Sequence, residues 1–310
     1  MFGPTGDGRT GDRLTIRDVA RDAGVSVATV SRVLASSATV SAELSERVRA
    51  SVRRLGYTPH SVARSLASGR TRLVGALVPN LANHYFYALL KRMLHDAERD
   101  GYRLIVADSD ENLLAERELA ANLVHQTDGL ILCSPRSPTN VLRQLATHVA
   151  ELGHHRVAYL AGPVRSWHAK ERLRAVRTLA RRGVDLVTLP VGATMDAGHR
   201  AVPQVLASGA TAVLAYNDLV AIGVIAGLAE RGVRVPADIS VTGYDDIPFS
   251  RFVTPPLSTV RSPQEEVGSV AWKAMDGLLR GEHPGTRTVL AAEPVYRTST
   301  AAPPSNRLPR

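Results

Sequence analysis

Arg32 lies four residues beyond Ala28 and five beyond Val27 in the stretch VSVATVSRVL. At helical spacing these three and Ser31 form an outer face, while Val30, Val33 and Leu34 give an apolar side. A guanidinium so presented can donate twice to O6 and N7 of a guanine, and small apolar side chains can touch a thymine methyl. The hydroxyls of Ser26, Thr29 and Ser31, with the helix starts (Thr15 among them), suit phosphate oxygens. A second set is scattered through the chain: Tyr85, Phe86, Trp167, Arg172, Asn217 and Asp245. A guanidinium, an amide and a carboxylate around aromatic plates suit a small polyol, which needs paired donors and acceptors and an apolar face.

Both sets need scaffolding. Ile16, Val19, Ala20 and Ala23 recur at i, i+3, i+4, i+7, the apolar face of a short helix. Thr15 with Asp18 three residues on is a capping-box start, and Gly24 supplies the left-handed exit. Ser26 can cap a second helix, so residues 14–34 read as a helix-turn-helix whose second helix enters the DNA major groove. A plain helical hairpin in a larger core shares this pattern, but the following residues argue against it. Ser41 caps a third helix with Leu44, Val48, Val52 and Leu55 on one face and Arg47, Arg49, Arg53 and Arg54 elsewhere, and Tyr57-Thr58-Pro59 stops it. Residues 1–72 carry twelve Arg and six acidic residues out of a net charge of +9, so the basic excess sits with the motif, as phosphate contact requires. Residues 60–69 read as a very short helix with a glycine exit, marginal without a partner because nucleation is unfavourable.

From Leu73 onward, short apolar runs (LVGALV, RLIVAD, GLILC, RVAYLAG, DLVTLP, AVLAYND, SVTGYDD) alternate with amphipathic stretches. Alternation of this kind implies βαβ units and parallel sheets. Ligands of open α/β sheets sit beyond the carboxyl ends of strands, where Asn80, Asn83, Asp108, Asp110, Tyr216, Asp218, Tyr244 and Asp246 also fall. Asp218 could instead cap the helix that follows it.

TIRDVARDAGVSVATVSRVL, VSAELSERV, LGYTPHSVARSL, GYDD and TPPLSTV together resemble the LacI family of bacterial transcription regulators, from about Leu14 to Thr300. The resemblance implies an α/β fold class: a small all-α helix-turn-helix head and a two-subdomain, periplasmic-binding-protein-like core. The expected limits are a disordered tail at 1–12, a head at 13–58, a hinge helix at 59–70, a core at 71–300 and a tail at 301–310. Within the core an N-subdomain takes about 71–145 and 262–284, and a C-subdomain about 146–261 and 285–300. By the same resemblance Ala63 and Leu66 contact the minor groove, with Leu66 as a wedge between base pairs. Arg172, Asn217 and Asp245 match the main effector contacts, with Tyr85 and Phe86 near the ligand. The implied protein is a cytoplasmic, homodimeric repressor of a pseudopalindromic operator in double-stranded DNA, controlled by a sugar-like or nucleoside-like effector.

The sequence departs from the family in one place. Leu145-Ala146 runs directly into the helix before LGHHRVAYL, and a unit of roughly 30 residues, the size of one βαβ element, is missing. Residues 139–152 read as one helix, and one sheet is expected to be short of a strand. A regulator with an effector-blind core is therefore one alternative, and a sugar-binding protein without a regulatory role is another.

Other chemistry finds little footing. His154-His155 is adjacent and Cys133 has no CxxC partner, so no metal site is expected. No GxSxG elbow or P-loop occurs, so no catalytic residue and no cofactor are assigned. With one cysteine there is no internal disulfide, and no apolar run approaches the roughly 20 residues of a membrane span. MFGPTGDGRTGD lacks the apolar region of a signal peptide. Hydrophobic content of 44% is that of a globular protein.

Overall fold

The computed structural model describes residues 14–34, 40–57, 69–133, 139–164, 166–283, 285 and 287–304. It divides into two units, Met1–Leu73 with Gln126–Asp128, and Val74–His125 with Gly129–Arg310. The expected N-terminal tail, residues 59–68 of the hinge with Ala63 and Leu66, and residues 305–310 lie outside the described residues, while Ala301, placed in the C-terminal tail, is bonded to His154 and Ser240 of the core.

Three helices build the first unit: α1 (Ile16–Ala23), α2 (Val27–Leu34) and α3 (Ala42–Leu55). Thr15 and Asp18 form the capping box, with the Thr15 amide donating to Asp18 at 2.9 Å. Gly24 takes φ 62°, which turns the chain into α2. Val19, Ala20, Ala23, Val30, Val33, Val48 and Tyr57 close a small core. Arg47 donates to the Ala23 carbonyl at 2.7 Å, and Arg54 pairs with Asp22, so α3 is tied to the end of α1 by charge as well as by packing. Further along, Asp128 accepts from the Thr71 amide and hydroxyl and from the Arg72 amide.

The second unit has two lobes. In the N-terminal lobe β1 (Leu73–Val78), α4 (His84–Arg99), β2 (Arg103–Asp108), α5 (Leu113–Gln126) and β3 (Gly129–Leu132) alternate. Their sheet has the order β2-β1-β3, with β1 and β3 parallel. The C-terminal lobe follows with α6 (Thr139–Glu151), β4 (Arg156–Ala161), α7 (Trp167–Val176), a 3-10 turn, β5 (Asp185–Pro190), α8 (Met195–Arg200), α9 (Val202–Ala207), β6 (Ala212–Ala215), α10 (Asp218–Ala229) and β7 (Ser240–Thr242). Its parallel sheet has the order β5-β4-β6-β7. Strand β8 (Thr259–Arg261) then leads into α11 (Gln264–Leu279), which returns to the N-terminal lobe and buries Trp272 there. Strand β9 (Glu293–Val295) comes back to pair antiparallel with β8.

Two elements differ from the sequence expectation. Residues 198–208 read as one helix, but the chain breaks into α8 and α9, and Pro203, which has no N–H to donate, sits in the first turn of α9. The boundary placed at 145 falls inside α6. Val141, Leu142, Leu145, Ala146 and Val149 all pack with Val157, Tyr159, Ala175 and Leu179, so the whole apolar face of α6 belongs to the C-terminal lobe. The helix runs unbroken because its apolar positions keep one period from Val141 to Val149.

The N-terminal lobe is correspondingly spare. Among the described residues β3 has no neighbour on its outer edge, and Leu132 is exposed there. A cavity of about 360 Å³ lies alongside it, walled by Phe86, Leu89, Ile131, Val267 and Leu290 among others.

Leu145 is fully buried at the centre of the α6 contact. Leu145→Ala is expected to cost about 2–5 kcal/mol, measured as a fall in urea midpoint. A loss below ~1 kcal/mol would mean that α6 does not seal this core.

Candidate nucleic-acid interface and inter-lobe cleft

On α2 the outer face is as the spacing requires. Val27, Ala28 and Arg32 are exposed, Ser31 and Thr29 are half-buried, and Val30 and Val33 are buried against α1 and α3. Ser26 accepts from the Thr29 amide at 3.1 Å and its hydroxyl meets Thr29 Oγ1 at 2.9 Å, so both hydroxyls sit at the start of α2. The free amides of a helix start and two hydroxyls suit a phosphate oxygen. Thr15 is exposed at the corresponding start of α1.

The second site lies between the lobes of the core. Asn83, Tyr85, Phe86 and Glu111 come from the N-terminal lobe, and His168, Arg172, Tyr216 and Asp245 from the C-terminal lobe. Together with Pro79 they enclose a cavity of about 20 Å³, space for about one water. Arg172 is buried. It donates to the Tyr216 carbonyl and, at 3.3 Å, to Asp245. Its guanidinium also stacks 3.8 Å from the Tyr244 ring and 4.7 Å from the Tyr216 ring. The Tyr216 ring fits because residue 162 is glycine, where a Cβ would come within 2.5 Å of it. Asn83 reaches across the cleft to Asp245 at 3.4 Å, and the rings of His84 and Phe249 meet edge-on at 4.7 Å. Burial pushes the Asp245 carboxyl above the usual carboxylate range, against the pull of Arg172.

Of the candidates from sequence, the structure brings Tyr85, Phe86, Arg172 and Asp245 to one cavity. Asn217 is buried and occupied elsewhere. Its oxygen accepts from the Val220 amide and its nitrogen donates to the Ala193 carbonyl, both at 2.9 Å, so it caps α10. Trp167 opens α7, is half-exposed and does not line the cavity. Asp218 is not the cap of α10. Its carboxylate is fully buried and accepts from Ile247 N, Ser250 Oγ and Thr259 Oγ1. Residues not singled out from sequence are Glu111 and His168. Glu111 carries no periodic signal, because it sits in a loop with φ 58°.

Among the described residues no group of three His, Cys, Asp or Glu side chains could hold a metal ion. His154 is buried between Thr211 and the Ala301 carbonyl, each at 2.8 Å. Burial pushes the Cys133 thiol up to about 12, which leaves it unreactive. Among the described residues no helix is long and apolar enough to cross a membrane.

Comparison with known proteins agrees with this geometry. Residues 15–60 match the family described as bacterial regulatory proteins, lacI family, and residues 146–300 match a periplasmic binding protein-like domain. The chain is 32% identical over 311 residues to the catabolite control protein A of Priestia megaterium, covering 87% of this chain and 93% of that one. The aligned stretch is longer than the part of this chain it uses, so that relative carries positions with no counterpart here. Identity to the ribose operon repressor of Bacillus subtilis is 33% over 299 residues, covering 86% and 92% of the two chains. Among solved structures, the lac repressor dimer bound to operator and the anti-inducer ONPF superposes with a TM-score of 0.80 at 29% identity, covering 94% of this chain and 100% of that one.

The Asp218 site generates a pH prediction. Burial first, and then the charge of Asp245, raise its carboxyl to about 7, against the pull of its three donors. The folded chain therefore keeps a proton that an unfolded carboxyl, titrating near 3.9, has released. Stability falls as pH rises between those values. The urea midpoint is expected to be lower at pH 7 than at pH 5, and Asp218→Asn is expected to shrink the difference. A midpoint that climbs over this interval contradicts the assignment.

Proposed function

The chain belongs to the LacI family of bacterial regulatory proteins, and we propose that it is a sequence-specific, DNA-binding transcription repressor whose core senses a small sugar-like or nucleoside-like effector. One observation carries the reading. A single chain combines a rigid helix-turn-helix with Val27, Ala28 and Arg32 exposed, and a two-lobed core with a buried Arg172–Asp245 pair facing its cleft.

Arg32 reads a guanine by two hydrogen bonds. Val27 and Ala28 add apolar contact, and Ser26, Thr29, Ser31 and Thr15 hold phosphates. A homodimer presents two such heads, so the operator is pseudopalindromic. The exposed Tyr87 and Leu94, seven residues apart on α4, support an apolar face for that pairing. In the linker, Ala63 and Leu66 contact the minor groove. The protein acts where its operator is, in the cytoplasm.

In the core, Arg172 and Asp245 bind the effector between them, with Tyr85, Phe86 and Tyr216 as apolar walls. A cavity of about 20 Å³ admits no sugar, so the lobes part to take one up. The effector acts by its unequal affinity for the two lobe arrangements. A relative that bears the name ribose operon repressor supports a sugar as the effector class. Asn217 and Trp167 have supporting parts: Asn217 fixes the start of α10 beside Tyr216, and Trp167 opens the helix that carries Arg172.

The experiment is selection of bound DNA from a random-site library by the purified protein, with its solution mass recorded alongside. The expected outcome is a pseudopalindrome and a dimeric mass. Half-sites recovered from a monomer would remove the homodimer from the reading. Arg32→Ala is expected to cost about 1–3 kcal/mol of binding and to relax specificity at one base pair per half-site. An unchanged sequence profile takes Arg32 out of the reading role.

A further inference from the structure

Glu111 is the one carboxylate of the cleft that the fold leaves without a counterpart among the described residues. It lines the cavity from the N-terminal lobe, opposite Arg172 and Tyr216. Its backbone is fixed. The Glu111 amide donates to the Pro79 carbonyl at 2.7 Å, while Asp110 and Glu111 both take left-handed φ values of 48° and 58°. Two consecutive non-glycine residues in that region aim the side chain by constraint rather than by chance.

The charges around it decide what it can do. Arg172 is already committed to Asp245 and to the Tyr216 carbonyl. That pair is neutral as a unit, so Glu111 adds a carboxylate that Arg172 does not pair with to a lining that also holds His168. Burial, partly offset by Arg172, pushes its carboxyl above the ordinary value, and Asp108, Asp110 and Glu116 push the same way. A half-buried carboxylate without a donor is unfavourable, and the effector is what can supply one.

We propose that Glu111 is a specificity-determining residue of the cleft, accepting hydroxyl hydrogens from an uncharged polyhydroxylated effector and rejecting phosphorylated or carboxylated ones. The inference rests on the sensing reading above. It adds a contact from the N-terminal lobe to those of Arg172 and Asp245, so that the effector bridges both lobes. A hydrogen bond to an ionised group is worth a factor of roughly ten to a hundred in affinity.

Calorimetry on the full chain tests this with ribose, galactose, glucose and cytidine as probes, each beside its phosphorylated counterpart. The wild type is expected to bind at least one uncharged probe, and its phosphorylated counterpart at least tenfold more weakly. Glu111→Gln should weaken the uncharged probe about tenfold or more and narrow the gap between the two, with thermal unfolding unchanged. A phosphorylated probe that binds the wild type as tightly as its uncharged counterpart overturns the proposal. So does Glu111→Gln with both affinities unchanged. Arg172→Ala separates the two levels. An uncharged probe bound equally by the wild type and Arg172→Ala, or no probe bound at all, overturns the sensing reading itself and this inference with it.

Discussion

The core depends on how it buries the two adjacent carboxylates after β7. Asp245 faces Arg172, and Asp246 is held from two sides, by Arg261 at 2.7 Å and Arg297 at 2.6 Å. Asp245 and Asp246 both have positive φ, 116° and 50°, a conformation the chain keeps only where its surroundings over-determine it. The ion pairs do so. Arg261 ends β8, which runs on into α11 of the N-terminal lobe, and Arg297 follows β9, which returns from it. Asp246 therefore pins β8 as it leaves and the segment after β9 as it returns, beside the carboxylate that faces the cleft. Loss of Asp246 would leave the largely buried Arg297 guanidinium without its carboxylate, at a cost of about 3–5 kcal/mol. One dipeptide thus couples the cleft-facing carboxylate to two of the segments that join the lobes.

Behind it the same economy recurs. Gly243 is required because a Cβ there would lie 2.1 Å from Asp218 Oδ1. Asp218 in turn gathers Ile247, Ser250 and Thr259, so it braces the loop after β7 against β8 from below. Behind the cleft, Asp218, Ser250 and Thr259 therefore form one of the buried polar networks of this lobe. Such networks specify one arrangement only when every member is satisfied. The N-terminal lobe has nothing comparable on its β3 side. Its sheet ends at β3, and the adjoining 360 Å³ is walled mainly by apolar side chains. An unpaired strand edge beside apolar surface is a liability for association. The unbroken α6 fits this, since its apolar face is spent on the C-terminal lobe, and among the described residues no strand pairs with the outer edge of β3.

Much of this was legible in the residues, for physical reasons. The head announces itself by local chemistry: Thr15 with Asp18, Gly24 at positive φ, and apolar positions that repeat at helical spacing. The α/β alternation of the core follows from runs too short and too apolar to be anything but buried strands. Asp245 lies just after β7 and Arg172 within α7, and both were named through the family resemblance as well as by their polarity beyond a strand. Asn217 has the same position and polarity, yet the start of α10 uses both ends of its amide. Cap and ligand contact look alike in sequence, since each wants a short polar side chain after a strand. Trp167 fails for a different reason: its place at the start of α7 is clear, but not which way an aromatic ring turns there. Glu111 was hidden because a loop residue at positive φ leaves no periodic trace. The split between α8 and α9 was missed, although Pro203 marks it where the apolar period alone suggests continuity.

Among the described residues two of the contacts across the cleft mouth are weak, while Gln264 at the start of α11 donates to the Asp245 carbonyl at 2.6 Å. Asn83 to Asp245 is a long hydrogen bond at 3.4 Å, and His84 against Phe249 is a single ring contact. Neither is a strong tie, while the Asp246 clasp beside them is charge-assisted and short. On the proposed parting of the lobes, the weak contacts at the mouth would give way before the charge-assisted ones beside them. A ligand that replaces Asn83 on Asp245 while engaging the N-terminal lobe exchanges weak bridging contacts for stronger ones. The free energy of that exchange is the most it can contribute to shifting the lobes. The response of the core is thus bounded by the groups at the cleft mouth and not by the stability of the fold behind them.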